Sequence, residues 1–211
     1  MRIVLFSVYP YDEPTIAIPA EALARSYRRL GHETVLAGLA DPEAPRSPRE
    51  ETSSGPVRRL GGYRNGWLNG ACLALDLRDL VRGADLVHAQ LAGEWSSALA
   101  ALVLAAHADG APVGASFHDF GTMRLGPEPF WEMPAFARAL ASFSWVTAVS
   151  PFVREEILRR FPAFAGPIEV VPLGFDARER DSPGDFGDAP ARPYMLCAAK
   201  HIRSIRERTR S

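Results

Sequence analysis

The chain has 211 residues, of which 47% are hydrophobic and 23% charged, with a formal net charge of −1. That composition can fill a sizeable globular core, and its near-neutral balance excludes a general electrostatic attraction to nucleic acid. Cys72 and Cys197 are the two cysteines, far apart and without metal-ligand spacing, which points away from a disulfide scaffold or metal centre and towards a reduced, cytoplasmic chain.

Residues 2–8, RIVLFSV, read as a strand apolar on both faces, as a buried parallel sheet requires. The run is too short for a secretory signal and lacks a small-residue cleavage site. A helix follows from about Ile16 to Leu30, with Ala20, Leu23, Ala24 and Tyr27 on one face and Arg25, Arg28 and Arg29 on the other, stopped by Gly31. TVLAG, residues 34–38, is the second strand. Residues 41–56, DPEAPRSPREETSSGP, are rich in Pro, Ser and charge and predict a mobile surface loop. Residues 57–60 form a weak strand, and glycine-rich GGYRNGWLNG leads into a helix ending near Arg82.

Strand 85–90, helix 94–109, strand 112–117, a helix near 132–142, strand 145–150, helix 151–161 and strand 168–172 complete the alternation. No apolar run reaches the length of a membrane span, since SSALAALVLAAHADG is interrupted by His107 and Asp109. Strands alternating with helices predict an α/β fold with a doubly wound, Rossmann-like parallel sheet. Residues 177–193 are polar and rich in Pro and Gly, so they read as a linker, and YMLCAA at 194–199 reads as one more strand.

Ligands of open α/β sheets bind outside the carboxyl ends of the strands. Tyr9, Gln90, His118, Asp119, Ser150 and Gly174 fall at such ends. His118 either binds substrate there, partly open to solvent, or serves the loop backbone; Asp119 orients it or caps the next turn. Ser150, followed by Pro151, has the form of a helix N-cap, and His88 inside LVHAQ has that of a satisfied core histidine. No G-x-G-x-x-G follows the first strand and no P-loop occurs, which disfavours a dinucleotide site. No nucleophile elbow surrounds Ser150.

Several segments in order carry a resemblance: MRIVLFS with EALARSYRRLGHETVLAG, then ADLVHAQ, VGASFHDF, WVTAVSPFVREEIL and IEVVPLGFD. Over residues 1–176 the chain resembles the N-terminal, acceptor-side domain of family 4 glycosyltransferases, retaining enzymes of the GT-B fold. The resemblance implies His118 as the catalytic-site histidine, with Gln90, Asp119, Ser150, Gly174 and Tyr9 on the substrate side. No His/Cys/Asp cluster has catalytic-metal spacing, so neither metal nor cofactor is expected, and the resemblance implies a nucleotide-sugar donor held by a C-terminal domain and a sugar or lipid-linked acceptor. Residues 194–211 match only the opening of that C-terminal domain, so the expectation is a truncated chain that does not transfer sugar alone. The family's first loop is glycine-rich, whereas this one carries Asp12, Glu13 and Pro14, which disfavours a diphosphate on this side. Two alternatives stay open: a non-catalytic partner subunit of a split enzyme, and a fragment of a GT-B nucleotide-sugar epimerase. Peripheral contact with a membrane is compatible with either.

Overall fold

The computed structural model describes residues 1–7, 14–40, 49–52, 55–61, 66–91, 100–101, 103–106, 110–118, 134–162, 164 and 166–172, with the backbone alone at 14–18, 49–52, 66–70 and 134–136. They lie within one compact unit, Met1–Phe175. The predicted linker at 177–193 and the strand at 194–199 lie outside the described residues.

Among the described residues eight strands form one sheet. In chain order they are β1 (Arg2–Ser7), β2 (Glu33–Leu39), β3 (Arg49–Thr52), β4 (Gly55–Leu60), β5 (Leu86–Leu91), β6 (Val113–Phe117), β7 (Trp145–Ala148) and β8 (Ile168–Val170). The helices are α1 (Pro14–Arg29), α2 (Gly66–Val81), α3 (Pro134–Ala141) and α4 (Pro151–Arg160), and residues 100, 101 and 103–106 are helical as well. The strand order is β3-β4-β2-β1-β5-β6-β7-β8. Every neighbouring pair is parallel except β3–β4. The chain thus winds outward from β1 through β2 and β4, then returns to the other side of β1 at β5. The switch point lies between β1 and β5.

One expectation is corrected here. Residues 41–56 are not loop throughout, because Arg49–Thr52 pairs antiparallel with Gly55–Arg58. The reason is that β3 is an outermost strand. Polar and charged residues that would be costly in a central strand are tolerated where one hydrogen-bonding edge has no further strand. Gly55, at φ +99°, supplies the backbone conformation at the turn. Residues 41–48 lie outside the described residues.

Side chains alternate along each strand and so separate the two faces. On one face Leu5, Leu36 and Val57 meet Ala20 and Ala24 of α1. The alanines let the helix axis approach closely, and the predicted apolar stripe of α1 is the buried one. On the other face Val4, Phe6, Val87, Ala89, Ala115 and Val146 pack with Leu73, Leu77 and Leu80 of α2, Leu104, and Val153 and Ile157 of α4. Arg2 ties the start of β1 to the end of α2, its guanidinium donating to Arg82 O at 2.8 Å and Leu80 O at 3.1 Å. A cation over the last carbonyls of a helix is favourable there.

Gly31 ends α1 as the sequence predicts. His32 N donates to Tyr27 O and Gly31 N donates to Arg28 O, the paired bonds of a Schellman cap, with Gly31 at φ +82°. A Cβ at Gly31 meets nothing within 4 Å, so only backbone strain opposes a side chain. Gly31→Ala is therefore expected to lower stability by about 1 kcal/mol, read from denaturant midpoints at unchanged slope. A neutral result would show that the cap relaxes.

Candidate functional site

The carboxyl edge of the sheet at the switch point brings Ser7, Gln90 and His118 together. Ser7 is the last residue of β1 and the register partner of Gln90 on β5. His118 follows β6 directly, and its backbone N donates to Leu91 O at 2.9 Å, which ties it to the end of β5. Gln90 pairs with Ser116, two residues before His118, so their side chains share a face.

On that face a chain of polar contacts crosses four elements. Tyr27 Oη of α1 lies 3.0 Å from His88 Nδ1. His88 Nε2 lies 2.8 Å from Ser116 Oγ and 2.8 Å from Gln90 Nε2. Ser116 Oγ lies 2.8 Å from Thr147 Oγ1 of β7. Gln90 Oε1 contacts His118 Nε2. Strands buried on both faces normally carry apolar side chains at such positions, and here the polar ones satisfy one another instead.

Two buried atoms find no partner among the described residues: Ser7 Oγ and His118 Nδ1. Ser7 is 1% exposed and His118 9%. Leaving a buried polar atom unpaired costs roughly 1–3 kcal/mol, so such atoms concentrate where something else supplies the bond. Both sit at the strand-end rim, where the doubly wound fold places its ligands.

Burial sets the charge of this cluster. It pulls His88 down to about 4, with repulsion from His118 adding to the effect, and it pulls His118 down to about 4. Both imidazoles are neutral at neutral pH, so each offers one N–H and one lone pair rather than a positive charge. Burial also raises the Tyr27 phenol. Trp145 closes the cluster below, its ring 5.7 Å from His88 at an interplanar angle of 70°. The indole occupies the space that a side chain on Gly114 would need, since a Cβ there would stand 1.8 Å from Trp145 Cε2.

His118 differs from expectation in being buried instead of partly open, while among the described residues no backbone carbonyl holds its ring. His88 is the satisfied core histidine that its place inside β5 suggested. Ser150 is the N-cap of α4, with φ −155° and ψ 161°, and its hydroxyl accepts from Val153 N at 3.2 Å. It lies near the rim, because the preceding Val149 N donates to Phe117 O, but it makes no contact with His118 among the described residues. Tyr9, Asp119 and Gly174 lie outside the described residues. Ser7, Ser116, Thr147 and Tyr27 escaped sequence reasoning as site residues. The available signal was the period-two spacing of His88 with Gln90, Ser116 with His118 and Trp145 with Thr147, polar side chains recurring on one face of three neighbouring inner strands.

Elsewhere, a pocket of about 570 Å³ opens at the amino end of β6, lined by Ala105, Gly110, Pro112, Val113, Ser142 and Ser144. Among the described residues that line it there is no ionisable group, and it lies at the end of the sheet away from His118. Among the described residues no helix is long and apolar enough to cross a membrane.

The model of Glycosyltransferase Family 4 matches residues 20–179. Among solved structures, an alpha-glucosyltransferase in complex with UDP superposes with a TM-score of 0.60 at 13% identity, covering 87% of this chain and 46% of that one. A sucrose-phosphate synthase from Thermosynechococcus elongatus gives 0.57 at 17% identity, with coverages of 84% and 49%. Anabaena HepE in complex with UDP gives 0.55 at 18% identity, with coverages of 88% and 48%. These likenesses concern the fold, a Rossmann-like half of the GT-B architecture, and this chain spans less than half the length of each of those proteins. No curated protein sequence matches it.

Proposed function

The chain belongs to glycosyltransferase family 4, and from that premise we propose that it forms the acceptor-side half of a retaining sugar transferase, with His118 at the transferred sugar. The observation that carries this reading is the pair of buried atoms without a partner among the described residues, His118 Nδ1 and Ser7 Oγ, at the switch point of the sheet. A neutral imidazole nitrogen at that rim accepts or donates a single hydrogen bond, which suits a sugar hydroxyl better than a phosphate. Ser7 adds a hydroxyl that can do either.

The diphosphate of the donor falls to a second domain. The loop after β1 offers Asp12 and Glu13 in place of a glycine-rich amide cradle, and two carboxylates repel a nucleoside diphosphate. Structural relatives crystallised with UDP make a uridine-linked donor the first to test. The acceptor is a sugar or lipid-linked hydroxyl approaching the same rim.

The test is incubation of the purified 211-residue chain with labelled nucleotide sugars and a panel of acceptors, with and without a family 4 donor-binding domain supplied in trans. Transfer is expected only in the complemented mixture. Transfer by the lone chain would overturn the two-domain assignment, and no transfer from any donor in the complemented mixture would overturn the enzymatic one. In the active mixture His118→Ala is expected to lower turnover on the order of a hundredfold, the scale of losing one positioned hydrogen-bonding group at a reacting centre. Unchanged turnover would remove His118 from the site.

A further inference from the structure

The side-chain amide of Gln90 stands between two imidazoles and touches both through Nε2 atoms. Its Nε2 faces His88 Nε2 at 2.8 Å and its Oε1 faces His118 Nε2. An amide nitrogen only donates and an amide oxygen only accepts, so the two contacts impose opposite demands. His118 must carry its proton on Nε2 to donate to Gln90 Oε1. His88 must keep a lone pair on Nε2 to accept from Gln90, so its proton sits on Nδ1, where it donates to Tyr27 Oη at 3.0 Å. The hydroxyls, which can donate or accept, follow this direction. With that tautomer Ser116 Oγ donates to His88 Nε2 and Thr147 Oγ1 donates to Ser116 Oγ, and the one lone pair of His88 Nε2 is shared between Ser116 and Gln90.

We propose that Gln90 is a positioning residue that locks His118 in the Nε2–H tautomer, leaving Nδ1, a buried atom without a partner among the described residues, as an acceptor at the rim. A hydroxyl of a ligand that displaces what covers this buried nitrogen would then donate to Nδ1, while a group that can only accept would be rejected by lone-pair repulsion. The same amide holds His88 in the opposite, Nδ1–H form, so the two tautomers are coupled through one residue. Reversing the amide would reverse every bond from Tyr27 to Thr147 and turn His118 Nδ1 into a donor. Both imidazoles being neutral at neutral pH, as burial requires, is a condition of the lock. Its bearing on sugar transfer rests on the function proposed above, but the lock itself involves neither donor nor acceptor, so each can fail without the other.

The experiment is long-range proton–nitrogen correlation NMR on the nitrogen-15-labelled 211-residue chain at pH 7.5, with the ring signals assigned by single His88→Asn and His118→Asn variants. The lock predicts the Nε2–H form at His118 and the Nδ1–H form at His88, the latter being diagnostic because exposed imidazoles favour Nε2–H. Gln90→Glu replaces the donor by an acceptor on both sides. It should convert His88 to the Nε2–H form and move the titration of both rings to higher pH. Gln90→Leu should leave His118 exchanging between tautomers. Finding His88 as Nε2–H in the unaltered chain would overturn the proposal, as would a His88 tautomer unchanged in a folded Gln90→Glu variant. The unaltered chain decides the matter even where a variant does not fold.

Discussion

Stability is expected to fall steeply as the pH drops from 6.5 to 4, by an amount on the order of 5 kcal/mol for the His88–His118 pair. Both imidazoles titrate at about 4 in the folded chain, against an unfolded value of 6.5. Between those limits the unfolded chain binds protons that the native cluster refuses, so acid favours unfolding. From about a unit above 6.5 neither group is protonated to any extent in either state, and their contribution is full and flat. A displacement of this size corresponds to about 3 kcal/mol for one histidine. The pair gives somewhat less than twice that at pH 4, because each still binds part of a proton there. The sign follows from burial: a charged ring inside this cluster would lose its hydration and would face a neighbouring imidazole as well.

Against a total stability of roughly 5–15 kcal/mol for an ordinary domain, a loss on the order of 5 by pH 4 removes a third of the stability at the top of that range and all of it at the bottom. Glu156, held at about 2 by Arg159 and Arg160, acts in a separate window below 4.5. Urea midpoints measured at half-unit steps from pH 7.5 to 4 would show the slope. In His118→Gln it should be about half as steep over the same interval. A midpoint constant from pH 7 to 5 would mean that the cluster admits water and protons freely.

Gly114→Ala is expected to cost about 3 kcal/mol, more than a one-methyl change commonly does in a strand. Glycine in a strand interior usually weakens it, and here it leaves room for an indole. The added carbon would stand 1.8 Å from Trp145 Cε2 and 2.0 Å from Cζ2, inside the ring's van der Waals surface. The indole must then swing outward or β6 and β7 must part. Trp145 is half-buried, so the ring moves first, and it withdraws its edge from His88. The variant should therefore show a red shift of tryptophan emission together with its lowered denaturant midpoint. A Trp145→Ala, Gly114→Ala pair should be less destabilised than the sum of the two single changes, because the clash is gone. Additive losses would show that the indole does not occupy the space over Gly114.

The local features of this protein are readable from the chain. Ile3 to Phe6 are apolar in succession and so had to be buried on both sides. Ala20, Leu23, Ala24 and Tyr27 recur at helical spacing and so had to share a face. Gly31 and the pair Ser150–Pro151 mark helix ends by their own backbone chemistry. Each of these depends on interactions within a few residues, which sequence order contains directly. The family is legible for a related reason, since its segments keep their order and spacing along the chain.

What tertiary structure alone decided is which strand lies beside which, and in what register. Period two says that His88 and Gln90 share one face, and that Ser116 and His118 share one, but not that β5 and β6 are neighbours placing Gln90 opposite Ser116. That pairing helps turn six scattered polar residues into a hydrogen-bonded chain and leaves Ser7 Oγ and His118 Nδ1 without partners among the described residues at the switch point. The clearance between Gly114 and Trp145 and the pairing of β3 with β4 are of the same kind. Each depends on atoms that approach only after the sheet has closed, with register set by the burial of whole strands, and so no short stretch of the chain encodes them.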